Sequence, residues 1–177
     1  YDYIKLESKT HYASMDLLTN DLKITGCDFF VYSDPQIVNV YPSNEVVTVK
    51  KNRDMTFSGR VIGGLFDFVA HNCYFDYDRF QVDMKVIDTL IMYVEDKNGK
   101  MDMYGDYPLR QVQGRIEELS GVLYVDAPGN KSGMTDIPEY PIFEARKGGK
   151  VFYDKPYVLG GVYTRDRFYY AVNSFRI

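Results

Sequence analysis

Four aspartates, Asp67, Asp76, Asp78 and Asp83, lie close together in the chain and raise the first chemical question. Calcium gathers several carboxylate oxygens, so strands that converge could hold one ion among these side chains. Asp76, Asp78 or Asp83 could equally supply the paired carboxylates of a hydrolase, one acting as acid and its partner as base or nucleophile. The bland alternative is a solvated strand face, because alternating strands point such residues outward. His71 and Cys73 could share one side of a strand, but zinc takes four ligands in a structural site. The only further candidates are His11 and Cys27. The same shortage leaves Cys-His nucleophilic chemistry without a local signature, and Ser chemistry has no Gly-x-Ser-x-Gly elbow.

Two loop motifs invite ligands and fail on spacing. Asp126 to Gly133 (DAPGNKSG) lacks the Gly that must precede the Lys of a phosphate loop, because Asn130 stands there. Asp96, Asn98, Gly99 and Asp102 suggest a calcium loop, yet Gly99 falls at the fourth position instead of the sixth. The first loop reads as a turn-rich connection and the second as a hairpin turn. Tyr153, Tyr157, Tyr163, Tyr169 and Tyr170 form the remaining candidate site. Aromatic faces stack on sugar rings or on partner proteins, whereas strand propensity alone would also concentrate tyrosine here. No catalytic residue, metal or cofactor is assigned.

These side chains must be positioned by a chain of 177 residues with 45% hydrophobic and 26% charged content, ample for a packed core. The 17 Tyr and 11 Phe, with no Trp, favour pleated half-buried surfaces. A net charge of −4 disfavours nucleic acid and anionic membrane as partners, since both require a positive field. No apolar stretch reaches the roughly 20 residues of a membrane-spanning helix, so direct membrane insertion is not expected. Cys27 and Cys73 are too few for a disulfide scaffold, and two reduced core thiols are the favoured reading. The chain begins at Tyr1 without an initiator Met, which fits a processed form or an excised piece.

Hydrophobic spacing predicts one helix, His11 to Leu22, with Tyr12, Met15, Leu18 and Leu22 on one face and Ser8 or Thr10 as its cap. Elsewhere the period is two. Predicted strands cover Tyr1 to Leu6, Ile24 to Tyr32, Gln36 to Tyr41, Val46 to Lys50, Thr56 to Ile62 and Leu65 to Ala70. Others cover Cys73 to Tyr77, Phe80 to Met84 and Val86 to Glu95, the last returning through Asn98-Gly99 as Lys100 to Tyr104. Val112 to Leu119, Val122 to Asp126, Ile142 to Ala145, Val151 to Tyr153, Val158 to Tyr163 and Phe168 to Val172 complete the set.

Two strings recur. Phe57 to Phe68 (FSGRVIGGLFDF) is echoed from Val112 to Val125 (VQGRIEELSGVLYV), and Phe75 to Phe80 (FDYDRF) from Tyr163 to Phe168 (YTRDRF). Their offsets, about fifty-five and about eighty-eight positions, fit no constant repeat period. Gly59-Arg60 and Gly114-Arg115 are expected at equivalent strand positions, each Arg pairing with a carboxylate such as Asp67 or Glu117. The expected fold is all-β. Two related strand units form a sandwich or a stacked, solenoid-like β-structure with one short N-terminal helix, in a single domain over 1–177 with sub-units 23–110 and 111–177.

The strings HYASMDLLTNDLKI, NRDMTFSGRVIGGLFDF, FDYDRFQVDM, LSGVLYVDAPGNKSG, EYPIFEA and VFYDKP resemble a segment of large uncharacterised proteins of Bacteroidetes-type bacteria. The resemblance runs from His11 to Phe175 and carries no catalytic residues. It implies a portion of a longer, exported polypeptide. The expected function is therefore a non-enzymatic structural or interaction module of an envelope-associated or surface protein. Its partners would be other domains of the same polypeptide or envelope proteins. The second reading is a glycan-binding module using the C-terminal tyrosines, and the third a carboxylate-dependent hydrolase.

Overall fold

A computed structural model describes residues 5–7 and 12–177. Its strands, in chain order, begin with β1 (Lys5–Glu7), β2 (Tyr12–Asp16), β3 (Asp21–Thr25), β4 (Phe29–Ser33) and β5 (Val38–Pro42). Next come β6 (Val46–Val49), β7 (Met55–Gly63), β8 (Phe66–Asp76), β9 (Gln81–Glu95) and β10 (Leu109–Gln111). The last five are β11 (Ile116–Tyr124), β12 (Ile142–Lys147), β13 (Lys150–Phe152), β14 (Tyr169–Ala171) and β15 (Phe175–Arg176). All pairings among them are antiparallel, and they join into one continuous sheet.

The centre of that sheet is β7-β8-β9-β11, and its register slips along one line. The slips fall between Phe57 and Gly59, between Val69 and Ala70, and between Leu119 and Gly121. Gly59 lies opposite Ala70, Ala70 opposite Ile87, and Ile87 opposite Leu119. Bulges bend strands and sharpen their twist, so a row of them creases the whole sheet. At the crease both outer strands change neighbours. β7 pairs with β6 through Met55 and Thr56 and with β5 from Gly59 to Gly63. β11 pairs with β13 at Glu117 and with β12 from Ser120 to Tyr124.

The result is two layers that share four bent strands, the geometry of sheets whose corners are turned at bulges. One layer runs β1-β4-β5, then β7 from Gly59, β8 to Ala70, β9 from Ile87 and β11 to Leu119, then β13-β14; the other runs β2-β3-β6, the remaining halves of those four strands, then β12-β15. Side chains of the two layers meet face to face. Tyr32 of β4 stacks on Phe75 with ring centroids 3.8 Å apart, and Phe30 meets Phe57 edge-on at 5.6 Å. Phe68 packs on Phe143 of β12 at 4.7 Å. Phe30, Tyr32, Phe68, Phe75, Phe80 and Phe143 are all fully buried. Each such ring contributes on the order of 2–3 kcal/mol through burial.

The all-β reading holds, and three local expectations are corrected. The predicted helix is instead the β2–β3 hairpin, laddered from Tyr12↔Thr25 to Asp16↔Asp21. Asp16 accepts the Leu18 and Thr19 amides at 2.8 and 3.3 Å, and Asn20 takes φ 59°. That Asx turn offers the backbone a better partner than a helical carbonyl, and β3 gains a full ladder to β6. Tyr1 to Ile4 of the first predicted strand, Ser8, Thr10 and His11 lie outside the described residues. Lys100 to Tyr104 forms no return strand. Asp102 accepts the Tyr104 and Asp106 amides at 2.8 and 3.0 Å, closing a loop, and the strand that returns to β9 is β10. Val158 to Tyr163 is a 3₁₀ turn over Leu159–Gly161, where Gly160 takes φ 68°.

The two echoes acquire different meanings. Gly59 is inside β7, but Gly114 lies before β11 at φ 96°. The positions that correspond are Phe57-Ser58-Gly59 and Leu119-Ser120-Gly121, each at a bulge where its strand forks. The arginine expectation holds for both copies: Arg60 grips Asp67 with two bonds at 2.8 and 2.7 Å, and Arg115 sits 4.0 Å from Glu117. The Asp-Arg-Phe strings are turns that launch strands, with the Arg79 amide on Asp76 and the Phe168 amide on the Thr164 carbonyl, both at 2.9 Å.

Candidate functional site

The C-terminal tyrosines assemble on a short ribbon formed by β13 and β14, in register Lys150↔Ala171, Val151↔Tyr170 and Phe152↔Tyr169. The ribbon leaves β11 at the second fork. Gly148 and Gly149 permit this: a Cβ on Gly149 would stand 2.6 Å from Ile116 Cγ2, so only glycine lets the chain pass so closely. Val151 packs against the core, whereas Tyr153, Tyr169 and Tyr170 are exposed. Tyr153 and Tyr163 meet edge-on at 5.4 Å, and Tyr163 meets Phe168 at 4.8 Å. With Phe152, Tyr169 and Tyr170 they line an open groove of ≈ 530 Å³.

Cations frame this aromatic cluster. The Arg165 guanidinium lies 3.7 Å over the Phe152 ring and is fixed by Glu117 at 2.5 Å and Asp154 at 3.0 Å. Lys150 sits 5.1 Å over Tyr169 and 2.7 Å from Glu118. That bond pushes the Lys150 ammonium up and holds the Glu118 carboxyl below its usual range. Lys155 lies 5.4 Å over Tyr153, and Arg167 joins the groove wall. Planar, charge-bordered aromatic surface suits either sugar faces or apolar side chains flanked by carboxylates.

Of the five predicted tyrosines, Tyr153, Tyr163, Tyr169 and Tyr170 come together. Tyr157 stands apart, 80% exposed on the turn before the 3₁₀ segment, and is not a wall of the groove. Phe152, Phe168, Arg165 and Arg167 were not singled out from sequence. Their signal is the interleaving of basic and aromatic residues in KVFYDK and RDRFYY, read on a two-residue period.

The other candidates are engaged elsewhere. Asp67 is nearly buried beneath Arg60, Asp83 pairs with Arg146 at 3.0 Å, and Asp76 holds the Arg79 turn, while Asp78 is exposed. Among the described residues, no three or more of His, Cys, Asp and Glu gather as metal ligands would. The bulge at Asn72 (φ 54°) sends His71 outward to Asp88 at 2.7 Å and Cys73 inward to the core, so the two do not share a side. Both cysteines are unpaired and buried. In the DAPGNKSG loop, buried Asp126 accepts Asn130 Nδ2 at 2.9 Å, and Asn130 accepts the Thr135 amide at 3.0 Å. Lys131 donates to the Pro128 carbonyl of the same loop at 2.8 Å. It is a self-locked connection.

No protein-family model, no curated protein and no solved structure matches the chain.

Proposed function

We propose that this chain is a non-enzymatic structural or interaction module of a large, exported, envelope-associated protein, and that it makes contact through the aromatic groove of β13 and β14. The observation that supports this is the groove itself: four tyrosines and two phenylalanines outside the core, on a ribbon tied to the sheet by one backbone pairing at Glu117↔Lys150. Exposed aromatic clusters of this size mark binding surfaces. Its partners are other domains of the same polypeptide or envelope proteins. A glycan is the second reading, favoured by the Tyr170 ring, which is 73% exposed beside the groove's charged rim.

Surface plasmon resonance of the purified chain against defined envelope proteins, alongside a glycan array, tests the proposal when repeated with Tyr163→Ser/Tyr170→Ser. Saturable protein binding that weakens at least about 10-fold in the variant supports it, since buried tyrosines are frequent hot spots. Glycan binding lost in the same variant transfers the groove to the second reading. Binding indifferent to the substitutions removes the groove from function.

A further inference from the structure

On its outer face the crease forms a trough. Open concavities of ≈ 470, 480 and 420 Å³ lie end to end along it; the first two share Lys85, and the last two share Glu118 and Lys147. Its floor is laid by the bulges, whose extra residues drop out of the ladder. Ser58 and Asn72 fall between the pairs Phe57↔Cys73 and Gly59↔Ala70, and Lys85 and Ser120 fall between Met84↔Gly121 and Ile87↔Leu119. Ser120 in turn faces Lys147 of β12. A hydroxyl, amide or ammonium group from each strand thus lines a path from β7 to β12, about 20 Å at four strand spacings.

The row is built, and its residues are not core residues: Asn72, Lys85 and Lys147 are exposed, Ser58 and Ser120 half-buried. The Asn72 amide, freed from the ladder, donates to Ser58 Oγ at 3.1 Å. Asn44, Asn72 and Glu118 hold left-handed backbone at φ 55°, 54° and 61° within the trough, the kind of strain that concentrates at ligand clamps. Tyr74 stands at one end with its ring 36% exposed and its hydroxyl anchored on buried Asp54.

Its charges are unequally engaged. Asp88 is bound to His71 at 2.7 Å, Glu117 to Arg165 at 2.5 Å and Glu118 to Lys150 at 2.7 Å, while Arg146 is bound to Asp83 at 3.0 Å. Lys150, with Arg165 and Lys147 beyond it, holds the Glu118 carboxyl below its usual range. Lys85 and Lys147 make no ion pair among the described residues. They stand two strands apart, about 10 Å, the separation of carboxylates two sugars apart in an extended chain. Other occupants fit less well. A peptide strand finds no free edge, because the trough crosses strands already laddered on both sides. A nucleic acid would meet three carboxylates on a chain of net charge −4. Protein hot spots are aromatic and apolar, and the row is neither.

We infer that the crease is a second binding site, separate from the aromatic groove, for a linear polysaccharide that bears carboxylates. Lys85 and Lys147 receive its carboxylates, Ser58, Asn72 and Ser120 bond its hydroxyls, and Tyr74 stacks on a sugar face at the end of the row.

Isothermal titration of the chain with octamers of galacturonate and of mannuronate, taken to about 1 mM, tests this. Saturable binding to at least one of them is expected. Lys85→Gln/Lys147→Gln should weaken it at least about 10-fold, and methyl esterification of the octamer by as much, because both remove charge-assisted contacts. Asn72→Gly keeps the left-handed backbone, removes the amide and should cost about 3-fold or more. Tyr163→Ser/Tyr170→Ser should leave the affinity unchanged, and circular dichroism checks the fold of each variant. Binding to neither octamer overturns the inference, as does binding that the lysine substitutions or esterification leave intact. Binding lost with the tyrosine pair and retained by the lysine pair places the sugar in the aromatic groove: this inference then falls, and the second reading of that groove stands.

Discussion

The crease depends on two glycines, and replacing them tests the account of the fold. Gly59 holds φ 154°, and a Cβ there would lie 2.8 Å from the Ser43 nitrogen and 2.9 Å from Pro42 Cα, closer still to the Tyr41 carbonyl oxygen. Every one of these neighbours is backbone, so no side chain can rotate away. The conformation costs an L-residue about 1–3 kcal/mol, and the overlap adds about 1–3 kcal/mol. Gly59→Ala is therefore expected to destabilise by about 2–6 kcal/mol, a large share of the roughly 5–15 kcal/mol typical of a domain. Gly121→Ala meets the Glu144 carbonyl oxygen first and then the Phe143 ring at 2.7 and 2.8 Å, without an unusual φ, so only the overlap applies, about 1–3 kcal/mol. Gly105, at φ 92° with nothing within 4 Å of a Cβ, is the control, with a cost of about 1 kcal/mol. Urea unfolding followed by circular dichroism gives the order directly. At a slope of about 2 kcal/mol per molar, Gly59→Ala should lower the midpoint by about 1–3 M. A Gly59→Ala midpoint within about 0.3 M of Gly105→Ala would refute the idea that close backbone approach at the fork requires glycine.

Three further outcomes follow from the packing. Phe143→Ala removes a fully buried ring that touches Phe68 at 4.7 Å and Phe175 at 5.9 Å, and should cost about 3–5 kcal/mol in the same assay. Arg60→Met leaves Asp67, with its side chain 9% exposed, without its two-bond partner. Because Arg60 is half exposed the loss should be about 1–2 kcal/mol, and Asp67→Asn in the same molecule should recover part of it. Burial pushes the Cys73 thiol up from its ordinary 9.0 to about 12, and Tyr32 shifts upward for the same reason. The unfolded thiol ionises first, so the unfolded state binds fewer protons between pH 9 and 12. Stability should fall as pH rises through that window, by about 1.4 kcal/mol per pH unit for this group. Cys73→Ala should flatten the slope by one proton, and native Cys73 should resist alkylation until urea unfolds the chain.

Strand content was legible because period-two alternation survives along most of β4 to β12, where one face is the core. The exceptions share a cause. In Tyr12 to Leu22 a four-residue turn separates two short strands, and the apolar residues on both sides of it fall at helical spacing by coincidence. A bulge also erases periodicity: His71 and Cys73 alternate on paper, yet Asn72 in a left-handed conformation turns one out and the other in. The Gly-Arg echo pointed at the right strands but seven residues out of step, Gly114 in place of Gly121, because close backbone approach at Gly59 and Gly121 leaves no mark in composition. The tyrosine cluster was visible as a cluster. Its members could not be sorted, since Tyr157 departs only through the Pro156 turn.

The manner in which the ribbon is attached has a consequence of its own. β13 joins β11 at a single pairing, Glu117↔Lys150, reinforced by the Arg165–Glu117 and Lys150–Glu118 ion pairs and by Val151 against the core. Exposed ion pairs add little, so the close passage of Gly149 past Ile116 and Leu119 is the main constraint. Gly149→Ala pushes a methyl group to 2.6 Å from Ile116 Cγ2 and the same distance from the Glu117 carbonyl oxygen. The central strands are laddered on both sides and do not depend on this contact, whereas β13 and β14 do. Hydrogen exchange should therefore show lost protection at residues 150–152 and 169–171, with β8 and β9 amides unchanged, as expected for a locally unfolding unit. Uniform loss across the sheet would mean that the ribbon is an integral part of the core, and no loss at all would mean that its ion pairs suffice to hold it.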